Sequence, residues 1–246
     1  MKGAWAIAKK ELRSYFLAPL AYVVITAFLL LNGFFFYAIL AVLSQPGASS
    51  TSPMSLLFGG TVFFWIFLIV TVPVITMRLG AEELKSGTVE TLLTAPVTDL
   101  EVVLGKFLGA LFLYVAAWLP TGLYVWAVSL YSEVDPGPVL GGYLGTVLVG
   151  LLFLSVGIFT TFVSKNQVVA AILAFALLLL LLLLSLISYI ITDPFWKEVF
   201  SYMDLYAAMQ GFSRGMVDSR PVLYCLSGAA FFLALAYQAL QARRWR

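Results

Sequence analysis

Three carboxylates, Glu82, Glu83 and Glu90, fall in a polar stretch, residues 78–101, that separates two long apolar runs. Gly87 can end one helix, Thr88 can cap the next, and Glu90 then sits in a first turn, where the helix dipole favours a negative charge. Pro96 stops that short helix, and Thr98 or Asp99 can cap the one that follows. The chemistry on offer is recognition, not catalysis. An acidic helix at a membrane face normally rich in Lys and Arg suits a partner protein with a basic groove. Solvation of a charged surface is the plainer reading of the same residues.

Other chemistries are excluded by what the chain lacks. It has no histidine and one cysteine, Cys225, which removes zinc sites, Ser-His-Asp and Cys-His triads, haem histidines and CxxC pairs. Cys225 is expected to be a small apolar filler. Gly105-Lys106 is followed by Phe107 and lacks the earlier glycine of a phosphate loop, so ATP binding of that kind is not expected. A net charge of +2 is too small for a nucleic-acid binder.

The elements that must position these residues are membrane helices. Of the 246 residues, 62% are hydrophobic and 11% charged, against about 45–50% and about 25% in soluble domains. Six stretches are long enough to span a bilayer: 20–43, 56–77, 104–131, 139–163, 168–191 and 221–241. Pro120 predicts a kink in the third. The leucine run 177–184 in the fifth is expected to face lipid. The first stretch is too long for a signal-peptide core and lacks a small-x-small cleavage site, so it is expected to remain as a span.

An even number of spans puts both termini on one side. With that side cytoplasmic, the inside holds Lys2, Lys9, Lys10, Arg13, Arg78, Lys85, Lys106, Lys165, Arg243, Arg244 and Arg246, and only Lys197, Arg214 and Arg220 lie outside. This asymmetry predicts cytoplasmic N- and C-termini. No charged residue falls in the middle of a span, which argues against a proton- or sodium-driven carrier. Asn32 in the first span is expected to make an interhelical hydrogen bond.

Residues 2–17 read as a helix with Trp5, Ala8, Leu12, Tyr15 and Phe16 on one face and Lys9, Lys10 and Arg13 away from it. That pattern fits an interfacial helix in the inner headgroup layer; a plain positive anchor before the first span fits it as well. Between the fifth and sixth spans, Phe195, Trp196, Val199, Met203, Tyr206, Met209 and Phe212 recur at roughly helical spacing. They predict one or two short re-entrant or interfacial helices in the outer leaflet. The expected fold is thus all-α, an integral membrane protein forming a single domain over residues 1–246.

In these residues the chain resembles the ABC-2 type exporter permeases, and within them the gliding-motility-associated, GldF-like branch. The likeness is carried by Thr76-Met77-Arg78, Glu82-Glu83, Gly87-Thr88-Val89-Glu90-Thr91-Leu92-Leu93-Thr94-Ala95-Pro96 and Gly105-Lys106-Phe107. Further pieces are Ser14-Tyr15-Phe16, Pro19-Leu20-Ala21-Tyr22, Asn32-Gly33-Phe34-Phe35, Asn166-Gln167 and the run from Arg214 to Arg220. The resemblance covers essentially the whole chain. One departure is Ala208-Met209, where relatives often carry a histidine-aromatic pair, and no role is assigned there.

The resemblance implies a multi-pass permease subunit of the inner (cytoplasmic) membrane, with a cytoplasmic coupling helix between the second and third spans. Glu82, Glu83, Gly87, Thr88, Glu90, Leu92, Leu93 and Pro96 would contact a separate ABC ATPase. It further implies two copies of that ATPase and a second permease subunit, the same or different, which in this branch carries a large external domain. ATP and magnesium would reside on the ATPase, with no cofactor in this chain and no enzyme activity of its own. Besides ATP-driven export, a second function fits: a non-translocating complex that passes ATP-driven motion to an external partner, as a mechanical transmitter or maturation factor. A membrane-embedded enzyme is disfavoured, because the spans offer no paired carboxylates or nucleophile-base pair.

Overall fold

The computed structural model describes residues 2–46, 52–86 and 97–244. Local signals set most helix starts. Helix α1 (Lys2–Leu17) ends where an extended Ala18 and Pro19 turn the chain into α2 (Pro19–Leu43), proline being well placed in a first helical turn. Helix α3 (Val62–Ser86) carries Pro73 within it. Thr98 and Glu101 form a reciprocal cap on α4 (Asp99–Trp118). Pro120 breaks the third span as expected, into α4, a tight turn at Leu119–Thr121, and α5 (Gly122–Ser129). Asp135, Asn166, Asp193 and Asp204 cap α6 (Pro136–Val163), α7 (Gln167–Ile187), α8 (Pro194–Ser201) and α9 (Leu205–Phe212). The last helix is α10 (Ser219–Arg244). Among the described residues there is no strand.

Among the described residues, six helical stretches are long and apolar enough to cross a membrane: Ala21–Leu43, Val62–Glu83, Asp99–Ser129, Pro136–Val163, Gln167–Ile187 and Ser219–Ala242. Their number and order agree with the six expected from sequence. The second does not coincide with its expected bounds of 56–77. Residues Leu56–Gly60 form a separate wide turn, with Gly59 at a φ of 85°, and the helix starts only at Val62. A side chain is disfavoured at such a φ. Met209 of α9 also fills the space, its Cβ lying 2.6 Å from where a Cβ on residue 59 would stand. The apolar character of this turn reflects burial against protein, not a span.

Helix α6 is the centre of the bundle, packed by α3, α4, α7, α9 and α10. Two polar links fix its neighbours. The Tyr114 hydroxyl of α4 donates to the Thr146 carbonyl at 3.0 Å. Thr161 Oγ1 accepts from the Gly80 and Ala81 amides of α3 and donates to the Met77 carbonyl. Helices α2, α7 and α10 lie at the periphery, their apolar windows mostly uncovered. Asn32 of α2 is buried, 3% exposed, yet its amide nitrogen has no hydrogen-bond partner among the described residues. The interhelical bond expected of Asn32 is therefore not made through that nitrogen among the described residues.

The two elements outside the spans take the expected helical form with different contacts. In α1 the covered face is Ala4, Ile7, Ala8, Glu11 and Tyr15, laid against α4. Trp5, at 57% exposure, and Phe16 stay uncovered, although sequence placed them with Ala8 and Tyr15. The reason is that small residues allow closer helix approach than tryptophan does, so the face of Ala4 and Ala8 docks. Between α7 and α10, helix α8 is exposed, whereas Leu205, Met209 and Phe212 of α9 are buried. Ser188 donates to Asp204 Oδ2 and the Leu205 amide donates to Ser185 Oγ, tying α9 to the end of α7.

Candidate functional site

The end of α3, the first turns of α4, and α1 meet at one end of the bundle. Two glycines make that meeting possible. A Cβ on Gly105 would stand 2.7 Å from the Ala4 carbonyl oxygen, and one on Gly109 would stand 2.8 Å from Glu11 Cβ. Helix α1 can therefore run alongside α4 in the same direction, with the Gly3 amide donating to Glu101 Oε1 at 3.3 Å. Close approach through small residues separated by four positions is a common way to bring membrane helices together.

Between the glycines lies Lys106, 1% exposed. Its Nζ is 2.9 Å from Glu11 Oε1 of α1 and 2.8 Å from Glu83 Oε2 of α3. Lys10 completes the cluster, its Nζ lying 3.2 Å from Glu83 Oε1. Two cations thus face two carboxylates from three helices. A buried ammonium is tolerated only when paired in this way. One turn before Glu83, Arg78 Nε bonds Glu82 Oε2 at 3.1 Å. The Tyr15 hydroxyl donates to the Ile75 carbonyl at 2.6 Å. Burial pushes that phenol well above its usual pKa; the Glu11 carboxylate adds to the effect and Arg78 opposes it. Tyr15 is therefore a fixed donor, and the hydrogen bond ties α1 to α3 a second time. A cleft of about 180 Å³ opens beside these groups, lined by Lys10, Glu11, Tyr15, Arg78, Glu82 and Glu83.

Glu82 and Glu83, adjacent in sequence, are used differently. Glu83 faces inward with 16% of its side chain exposed, while Glu82 is 49% exposed. Of the residues expected to contact a partner, only these two are described. Gly87, Thr88, Glu90, Leu92, Leu93 and Pro96 lie outside the described residues. Glu11, Lys10 and Lys106 were missed as site residues by sequence reading. A signal did exist: Glu11 lies at helical spacing from Ala4, Ile7, Ala8 and Tyr15, an acid within a small, apolar face. Among the described residues no three His, Cys, Asp or Glu side chains come together to hold a metal ion. The arrangement braces helices. It holds both flanks of segment 87–96, through Glu83 before it and Glu101 and Lys106 after it, against the one helix α1.

A family model described as ABC-2 family transporter protein matches residues 49–237. The match begins after α2 and runs through α3 to α9 into most of α10. No curated protein matches the chain.

Proposed function

The chain belongs to the ABC-2 family of transporter proteins, and from that premise we propose that it is the membrane subunit of an ATP-driven transporter, powered by a separate ATPase that docks on segment 82–96. A membership of this kind, together with six apolar helices, makes it a multi-pass membrane protein. The observation that carries the docking reading is the buried Glu11–Lys106–Glu83 cluster. It clamps the flanks of that segment to each other and to α1. A push on the segment would then be felt by three helices at once, two of which continue into spans and the third of which leads into α2. Because separating these ions would leave buried charges unpaired, such a clamp resists being sheared by the motion it passes on.

On this reading the end bearing α1 faces the cytoplasm, in keeping with the distribution of Lys and Arg, and the membrane is the cell's inner one. ATP and magnesium belong to the ATPase, of which two copies serve a pair of membrane subunits. The uncovered faces of α2 and α7 offer a second permease subunit a surface, and the GldF-like resemblance favours one with a large external domain. Purification of the chain with the products of neighbouring genes tests the reading. An ABC ATPase is expected to co-purify, and the chain freed of it is expected to hydrolyse no ATP. Turnover by the isolated chain, or a stable complex without any ATPase, would overturn the proposal.

A further inference from the structure

We propose that the basic face of α1, where it leads into α2, is a binding site for an anionic phospholipid of the leaflet on the α1 side. Helix α1 presents three faces. One is docked on α4; a second leaves Trp5 and Phe16 uncovered; the third carries Lys9, Lys10 and Arg13. At the extended Ala18 the chain turns into α2, and the third face is an open surface made by α1 and Ala18 alone. Lys9, Lys10, Arg13 and Ser14 share it with two exposed apolar residues, Ala6 and Leu17.

Not all the charges on this face are spent among the described residues. Glu11 and Glu83 are engaged by Lys106, and Glu82 pairs with Arg78. Lys10 reaches Glu83, but among the described residues neither Lys9 nor Arg13 has a carboxylate in ion-pair reach. Lys9 and Arg13 therefore call for an anion, and the exposed Leu17 beside them calls for a ligand with a hydrocarbon part. Depth supplies the third requirement. The turn at Ala18 leads directly into the span Ala21–Leu43, whose start exposes Tyr22 and Val23. Phe16 meets Tyr22 edge to face at 6.1 Å, an aromatic pair of the kind favoured at headgroup level. A phosphate between Lys9 and Arg13 would leave its acyl chains against Leu17 and the exposed face of α2. Free phosphate or a nucleotide would make no use of that apolar surface.

The test uses the full chain in phosphatidylcholine nanodiscs titrated with phosphatidylglycerol, with bound lipid counted by native mass spectrometry. Wild type is expected to retain phosphatidylglycerol in preference to phosphatidylcholine. Basic residues at an anionic surface contribute about fivefold each in affinity. The double variant Lys9→Gln, Arg13→Gln should therefore weaken retention about 25-fold, and either single variant about fivefold. These side chains are exposed, so unfolding temperature should not move, and Lys197→Gln with Arg214→Gln should leave retention unchanged. Equal retention by wild type and the double variant would overturn the site. Inorganic phosphate displacing the lipid as completely as intact phosphatidylglycerol does would overturn the lipid assignment in favour of a free anion. A protein chain cross-linking through Lys9, with no lipid retained, would overturn it in favour of a protein contact. None of these outcomes depends on an ATPase being bound.

Discussion

Lys106 Nζ lies 2.8 Å from Glu83 Oε2, so the ammonium of α4 and the carboxylate of α3 hold the end of one helix to the first turns of the other. The same nitrogen holds Glu11 at 2.9 Å. Replacing it strands two carboxylates close together, which is costlier than losing either pair. Lys106→Met should destabilise the protein by about 2–4 kcal/mol, somewhat under the range for a fully buried pair, because both acids retain some water and Lys10 remains. Adding Glu11→Gln and Glu83→Gln to that variant should recover most of the loss. Thermal unfolding in detergent measures both. Unchanged stability in Lys106→Met would mean that the cluster holds nothing.

The close approach of α1 to α4 depends on the missing side chain of Gly105. A Cβ there would meet the Ala4 carbonyl and Ile7 Cβ, both at 2.7 Å, and a backbone atom cannot rotate away. Gly105→Val should lift α1 off α4. Cys225 is the only cysteine, so Ala8→Cys in a Cys225→Ser background reports on this directly. Ala8 is fully buried. Labelling of Cys at that site should be slow in the parent and at least about tenfold faster with Gly105→Val, an opening difference of about 1.4 kcal/mol.

Orientation is tested in sealed cells with an impermeant thiol reagent. Cysteine in place of Ser49 or Ser219 should be labelled from outside, and cysteine in place of Ser86 should be protected. The opposite pattern would reverse the assignment of α1 to the cytoplasm.

For the ATPase contact, the size of the effect separates two roles of Glu90. Reversing a desolvated interface charge costs about 2–5 kcal/mol, whereas losing a dipole-favoured first-turn acid costs about 0.3–1 kcal/mol. Glu90→Lys should weaken ATPase co-purification about tenfold or more while leaving membrane insertion intact. Glu90→Gln should do much less if the acid serves only the helix start. Full ATPase binding and full coupled hydrolysis in both Glu90→Lys and Gly87→Val would remove this segment from the docking site.

Much of the architecture was legible in the sequence, because it depends on properties of single segments. A bilayer demands about 20 apolar residues in a row, and each of the six spans meets that demand without reference to any other. The helix start at Thr98 is likewise local, a side-chain oxygen answering an amide three residues on. The break at Pro120 needs only that residue. The same is true of the acidic pair Glu82 and Glu83 as a feature of interest, though not of what each one does.

Only the tertiary structure decided that Glu83 turns inward to Lys106 while Glu82 points outward, and that Glu11, 95 residues away from Lys106, completes the cluster. It also decided which face of α1 is covered, and that the apolar stretch Leu56–Gly60 is a turn seated against Met209. Hydrophobicity registers removal from water and does not distinguish lipid from protein as the covering phase. Pairing depends on which helices lie side by side, and that is set by close packing at positions such as Gly105, Gly109 and Gly59, whose partners lie far away along the chain.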